Sequence, residues 1–239
     1  WERSDVEVRG LEGLEPRAGA LAGDPPPPRI EIREGALRLW VDVHRGHKTG
    51  AYLDQRPNRA RIGELAAGRR VLDAFCYSGG FAVHALAGGA ASVLAVDASA
   101  EALATARANL ELNGLDAQRC ELAQGNVFEL LRGLRDRGSS FDLIVLDPPK
   151  FAATASQREG AARGYKDINL LAFKLLAPGG LLVTFSCSGA IGGELFQSIV
   201  AGAALDAGVD AQVVERLGQA PDHPVLLSFP EAEYLKGLV

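Results

Sequence analysis

Apolar and polar positions follow two alternating rhythms over most of the chain. Short apolar runs at 71–75, 93–97, 118–123, 141–146 and 180–186 predict buried strands, and the longer mixed stretches at 80–87, 99–113, 126–137, 161–176 and 192–207 predict helices. Their alternation predicts an α/β fold, a mostly parallel sheet with helices on both faces. Asn113-Gly114 and Pro178-Gly179-Gly180 supply helix stops. Two more strands, at 211–217 and 225–229, bring the sheet to seven and are expected to pair as an antiparallel hairpin at its edge. Upstream the rhythm changes to period two: Ile30 and Ile32, then Leu37, Leu39, Val41 and Val43, flank Glu34-Gly35 and predict a β-hairpin. Asn58 is placed to cap a helix carrying Ile62 and Leu65. Residues 1–28, rich in Gly and Pro and closing on Pro25-Pro26-Pro27-Pro28, predict a connector of polyproline II character. The expected organisation is a linker and β-hairpin subdomain over 1–54 and the main domain over 55–239.

Composition narrows the class. With 239 residues, 47% of them hydrophobic and 23% charged, the chain can bury a full core. No run approaches the roughly 18 apolar residues that span a bilayer, and the N-terminus is too charged for a secretory signal, so a cytoplasmic protein with no membrane partner is expected. Cys76, Cys120 and Cys187 lack the paired spacing of a disulfide framework or zinc site, and no metal is expected. The chain contains no methionine and opens abruptly at Trp1, as a fragment of a longer protein would. A formal net charge of −5 argues against a large nucleic-acid surface, yet His44, Arg45, His47, Lys48, Arg56, Arg59, Arg61, Arg69 and Arg70 face only Asp54 and Glu64 between residues 44 and 70. A solvated face and a local RNA contact both fit that stretch.

Three strands end in carboxylates, Asp73, Asp97 and Asp147, and ligands of open parallel sheets sit beyond those strand ends. Ser78-Gly79-Gly80 exposes backbone N–H groups before a helix, but the chain has neither Gly-x-Gly-x-x-Gly nor a phosphate-binding loop, which disfavours dinucleotides, ATP and GTP. Asp97, closing the second strand, can accept both hydroxyls of a ribose. In these residues the chain resembles the Rossmann-like class I S-adenosylmethionine-dependent methyltransferases. Asp73 to Gly80 looks like their first motif, Asp97 like their ribose acid, and Gly125-Asn126-Val127-Phe128 like their adenine motif, with Asn126 where aspartate is common. The resemblance implies that S-adenosylmethionine is held by Asp73, Phe75, Tyr77, Ser78, Gly79, Gly80, Asp97, Ala98, Asn126, Asp147 and Gln55.

Asp147-Pro148-Pro149-Lys150 follows the fourth strand, and its prolines stiffen a turn suited to a planar target. Enzymes that methylate exocyclic amines carry a related Asn/Asp-Pro-Pro-aromatic loop; here Lys150 replaces the aromatic and Phe151 follows it. Thr184-Phe185-Ser186-Cys187-Ser188-Gly189 follows the fifth strand. A pyrimidine C5 is too poor a nucleophile to take a methyl group until a thiolate adds to C6, and Cys187 is placed to supply that thiolate. Burial as a small filler is the competing reading of Cys187.

With Gly46–Arg56, Cys187 and the His223-Pro224 to Lys236 stretch, the chain resembles the RlmI group of ribosomal RNA cytosine-C5 methyltransferases. Members typically carry an N-terminal RNA-binding PUA domain, which is expected to be missing from this sequence and present in the full-length protein. The resemblance matches their Lys-Thr-Gly and Leu-Asp-Gln-Arg segments to Lys48-Thr49-Gly50 and Leu53-Asp54-Gln55-Arg56, and implies a ribosomal RNA partner and a single-cysteine cycle. In it Cys187 attacks C6 of a flipped cytosine, Asp147 binds the N3/N4 edge, and Lys48, Arg56, Pro148, Pro149 and Lys150 face the RNA. Asp147, His223, Glu231 and a water are all candidates to remove the C5 proton. Two alternatives stay open: methylation of a purine nitrogen with Cys187 a bystander, and a module that binds S-adenosylmethionine without turnover. The edge of the 30–43 hairpin would suit a homodimer.

Overall fold

The structure, a computed structural model, describes residues 1–4, 9, 10, 12–152 and 154–239, and it comprises two compact units, Trp1–Tyr52 and Leu53–Val239. In the first unit, β1 (Glu2–Ser4) and β2 (Arg17–Gly19) pair antiparallel, with Glu2 opposite Gly19. A plain connector was expected there; strands of three residues are too short to leave a period in the sequence. The expected hairpin is formed by β3 (Ile30–Glu34) and β4 (Leu37–Val41), in register from Ile30–Val41 to Glu34–Leu37. Its turn is Gly35-Ala36, one residue later than expected, because Gly35 takes the left-handed φ of +59°.

The second unit is a seven-stranded sheet. In chain order its strands are β5 (Arg70–Ala74), β6 (Ser92–Asp97), β7 (Cys120–Gln124), β8 (Phe141–Leu146), β9 (Leu176–Ser186), β10 (Arg216–Gly218) and β11 (Lys236–Leu238). Across the sheet they lie β10-β11-β9-β8-β5-β6-β7, with β7 to β9 parallel and β11 antiparallel to both its neighbours. The helices are α1 (Arg56–Leu65), α2 (Gly80–Ala87), α3 (Ala100–Leu112), α4 (Val127–Asp136), α5 (Arg158–Leu175) and α6 (Gly193–Ala207). They pack as two groups, α1–α3 and α4–α6. Right-handed crossovers that run first one way from β5 and then the other place one group on each face. Covered on both faces, the central strands are continuous in apolar residues: Leu72 pairs with Leu94 and Ile144, Ile144 pairs with Leu182, and Leu72, Ile144, Leu146, Tyr165, Ile168 and Phe196 are fully buried. Each such side chain contributes roughly 1.5–3 kcal/mol by leaving water.

Four local expectations are corrected. Asn58 does not cap α1; the helix starts at Arg56 with Pro57 in its first turn, where the missing N–H costs nothing, and Gln55 at the cap position. Pro178-Gly179-Gly180 lies not between elements but inside β9, where the register against β8 shifts, so it forms a bulge just after α5 ends. The strand expected at 211–217 is only Arg216–Gly218. The strand expected at 225–229 is irregular and exposed, bracketed by Pro224 and Pro230, which cannot donate to a ladder. Its place is taken by β11, whose Gly237 lies so close to Phe185 that a Cβ would come to 2.6 Å from the ring. No helix among the described residues is long and apolar enough to cross a membrane.

Candidate active site

The strand order reverses at β5, which pairs with β6 on one side and β8 on the other, and the crevice of a doubly wound sheet opens at this switch point. The loop leaving β5 is strained: Phe75, Tyr77 and Gly79 all have left-handed φ, at 65°, 48° and 75°. For the two non-glycine residues this costs roughly 1–2 kcal/mol each, so surrounding bonds must impose it. Cys76 N donates to Val96 O (3.0 Å), Gly79 N to Cys76 O (2.8 Å) and Tyr77 N to Asp97 Oδ2 (2.8 Å). Asn109 Nδ2, fully buried on α3, donates to Ser78 O (2.9 Å). Asp97, the last residue of β6, thus fixes the loop with one oxygen and accepts from Ser99 N with the other (2.9 Å). Ala98 beside it is exposed. Asn126 is the N-cap of α4, its Oδ1 accepting from Phe128 N and Glu129 N. Gly80 opens α2.

Asp73 lies inside β5 rather than at its end and is fully buried. Its Oδ2 accepts from Ala82 N in the first turn of α2 (3.0 Å), while Oδ1 finds no partner in the protein. Burial pushes its carboxyl up from 3.8 to about 8, with the charges of Asp147 and Asp97 adding to the rise and the Ala82 bond opposing it.

A second cluster lies beyond β8 and β9, whose ends are in register at Leu146–Thr184. Asp147 N donates to Ala74 O (3.3 Å), which ties the start of the Asp-Pro-Pro-Lys turn to β5. The Asp147 carboxylate accepts from Gln55 Nε2 (3.0 Å). Gln55 is buried and is itself oriented by Asn58, whose Nδ2 donates to Gln55 Oε1 (2.6 Å) and to Gly218 O (3.0 Å). Burial raises Asp147 from 3.8 to about 7, against the Gln55 bond that favours its ionised form; Asp54 adds to the rise and Arg59 opposes it.

Cys187 is half-buried between two fully buried serines. Ser188 Oγ accepts from Ala152 N (3.2 Å) and bonds Tyr165 Oη (3.0 Å), which locks the cysteine loop against the chain following Lys150. Burial first, and then the charge of Asp147, pushes the Cys187 thiol above its ordinary value, with Lys236 pulling the other way. Lys236 is held beside it by the carbonyls of Ser188 (2.9 Å) and Tyr234 (2.7 Å). Cys76 and Cys120 are buried more deeply, and burial drives the Cys120 thiol to about 12. Tyr234 Oη donates to Asp54 Oδ2 (2.7 Å).

The structure brings Gln55, Asp147 and Cys187 into one cluster and places Asp73, Phe75, Tyr77, Ser78, Gly79, Gly80 and Asp97 around the loop after β5. Pro148 is buried, whereas Pro149 and Lys150 are exposed. Arg56 forms an ion pair with Asp222 at 2.7 Å. Lys48 belongs to the other unit, exposed in a turn with φ of 54°. Sequence reasoning read Asn58 only as a helix cap and missed Asn109. Asn109 carried a signal, as an amide among apolar positions of a helix.

The first cluster fits S-adenosylmethionine. A buried carboxylate with an orphaned oxygen calls for a cationic or N–H-bearing ligand, and the amino acid portion of that molecule has one. The Gly79 turn packs so closely on α3 that a Cβ would meet Ala106 Cβ at 2.7 Å, so only glycine lets the loop lie against that helix.

Sheet order and the strained loop after β5 define a Rossmann-like α/β protein, with Asp97 and Asp147 at or just beyond the strand ends on either side of its switch point. The chain belongs to the S-adenosylmethionine-dependent methyltransferase family, whose sequence profile matches residues 17–238, and S-adenosylmethionine is its cofactor. Curated relatives called ribosomal RNA large subunit methyltransferase I are 56% identical in Aeromonas hydrophila over 240 residues and 57% identical in Tolumonas auensis over 240 residues. Each alignment covers 100% of this chain and 60% of the relative, so the chain spans about three fifths of their length. Among solved structures, a putative SAM-dependent methyltransferase from Streptococcus mutans matches with a TM-score of 0.83 at 25% identity, over 91% of this chain and 56% of that one. A putative methyltransferase solved in complex with SAH matches with a TM-score of 0.80 at 26% identity, over 91% of this chain and 57% of that one.

Proposed function

We propose that the protein methylates C5 of a cytosine in large-subunit ribosomal RNA through a covalent adduct with Cys187. The observation that carries this reading is the shared cluster: a half-buried thiol on the loop after β9 and the Asp147 carboxylate stand beyond the adjoining ends of β8 and β9, with the Lys236 ammonium fixed beside them by two carbonyls. The names of the relatives supply the substrate class. Bound S-adenosylmethionine supplies a methyl group on a sulfonium, an electrophile for C5.

The residues of the chain divide the remaining work. A thiol raised above its ordinary value does not ionise by itself at neutral pH, so the ionised Asp147 takes the Cys187 proton. The sulfur adds to C6 of the flipped base while Asp147 passes the proton to N3. C5 thereby becomes an enamine carbon, nucleophilic enough to take a methyl group from a sulfonium, whose S–CH3 bond would break to leave a neutral thioether. Asp147, again a carboxylate, then removes the C5 proton. The C6–S bond breaks as the C5–C6 double bond returns, the leaving thiolate takes the N3 proton to restore the Cys187 thiol, and Asp147 releases the C5 proton to water. Lys236, fixed by two carbonyls, favours the anionic sulfur at the start and end of the cycle. Lys150 and Arg56, at the rim, contact phosphate.

Nucleoside mass spectrometry of undermethylated ribosomal RNA, incubated with labelled S-adenosylmethionine, tests the reading. Labelled 5-methylcytidine with the parent and none with Cys187→Ala is the expected result. Label on a purine nitrogen, or full activity in Cys187→Ala, would overturn it.

A further inference from the structure

The segment that failed to form a strand has a second property. Residues 224–230 are all exposed, and within them Val225, Leu226, Leu227 and Phe229 present 37%, 65%, 100% and 56% of their surface to solvent. Four apolar side chains in five positions oppose the hydrophobic effect, and a contiguous patch of this kind marks a contact surface. The loop is nevertheless built. Pro224 and Pro230 stiffen its two arms, and Phe229 N closes the tip by donating to Leu226 O (2.8 Å). One side chain clamps both roots: Gln219 Nε2 donates to His223 O (2.7 Å) and Ala232 O (3.1 Å), and Gln219 Oε1 accepts from Tyr234 N (3.1 Å).

Those roots are part of the catalytic wall. Ala220 N donates to Asp54 O (2.9 Å), Tyr234 Oη to Asp54 Oδ2 (2.7 Å) and Arg56 Nη1 to Asp222 Oδ2 (2.7 Å). Asp54 and Arg56 flank Gln55, the residue that holds Asp147. A rigid apolar finger is therefore mounted on the frame that sets the catalytic carboxylate. Its tip carries no cation, so it is not made for phosphate.

We propose that this finger is a stacking wedge: Leu226 and Leu227 enter the RNA beside the target nucleotide and fill the gap that its base leaves on entering the site. The proposal rests on RNA methylation as read above. A base pulled from a stack exposes the faces of its neighbours, and apolar side chains are what other proteins insert at such steps. Continuity with the catalytic frame favours RNA over a protein partner, because the target base must reach that frame and its neighbours then lie beside the tip.

The test compares two RNAs in the protein as its gene encodes it, one with the target cytosine paired and one with the same cytosine unpaired and unstacked. Leu227→Ser and Leu226→Ser/Leu227→Ser remove exposed side chains, so folding is kept. The expected result is a fall of roughly tenfold or more in the ratio of paired to unpaired kcat/KM, since opening a stack costs a few kcal/mol. A 2-aminopurine next to the target should lose its fluorescence rise in the same variants. An unchanged ratio, whether both RNAs suffer equally or neither does, overturns the wedge. A change in molecular mass on sizing without a change in ratio overturns it too and assigns the tip to a protein interface. If the parent methylates neither RNA, the underlying reading fails and the wedge falls with it; methylation by the parent keeps the two failures apart.

Discussion

Removing one hydrogen bond donor, in Gln55→Ala, should move the pH dependence of methyl transfer in a direction the structure dictates. In the proposed cycle the active pair holds one proton, on Cys187 with Asp147 ionised, so kcat/KM rises as Asp147 loses its proton at about 7 and falls once the pair loses its second. Gln55 Nε2 donates to Asp147 Oδ1 at 3.0 Å and so favours the ionised form. A hydrogen bond to a charged group contributes about 1.5–3 kcal/mol, but Asp147 is only half-buried and water takes back part of it, leaving about 1 kcal/mol. At 1.36 kcal/mol per unit, that is about 0.5–1 pH unit. The variant's acid limb should therefore lie about 0.5–1 unit above the parent's, with activity down roughly three- to tenfold at pH 6 and little changed at pH 8.5. Single-turnover transfer of labelled methyl, measured from pH 5.5 to 9.5, reads this directly. An acid limb that stays in place or moves down would refute the assignment of that limb to Asp147.

Two further outcomes follow from the first cluster. Asp73→Asn keeps an acceptor for Ala82 N but removes a carboxyl that burial raises to about 8. A raised carboxyl contributes stability that is fully present below its unfolded value near 3.8 and is lost as pH climbs through about 8, so urea unfolding should show the variant gaining on the parent from pH 4 to 8, up to about 3–5 kcal/mol, while calorimetry shows weaker S-adenosylmethionine binding. A gain that shrinks with rising pH would contradict the burial argument. Gly79→Ala forces a Cβ to 2.7 Å from Ala106 Cβ at a φ of +75°, and should cost about 2–4 kcal/mol in chemical denaturation; a loss under about 1 kcal/mol would show that the loop relaxes without strain.

The central strands were legible because burial on both faces leaves a continuous apolar run, as at Val93–Val96 and Phe141–Leu146. Edge strands leave no such mark. β10 and β11 are three residues each, and the apolar run at 225–229 imitates a strand while its side chains stay in water. The site divides along a similar line. Cys187 was conspicuous from its chemistry, and Asp97 and Asp147 from their places at or just beyond strand ends. What Asp97 does with its oxygens was not visible, because its partners are backbone N–H groups that every residue has. Gln55 and Asp147 stand 92 positions apart, and Asp54 and Tyr234 stand 180 apart, so no local spacing records either pair. The resemblance assigns both Gln55 and Asp147 to the cofactor, and the fold adds what it could not show, that the Gln55 amide donates to the Asp147 carboxylate. A buried amide donating to a carboxylate that titrates at about 7 adjusts a proton equilibrium, and that role exists only once β5, β8 and β9 end side by side. Chemistry at a switch point is for this reason readable from sequence as a set of candidate groups. Their pKa values, and hence which of them holds the proton, are properties of the assembled sheet.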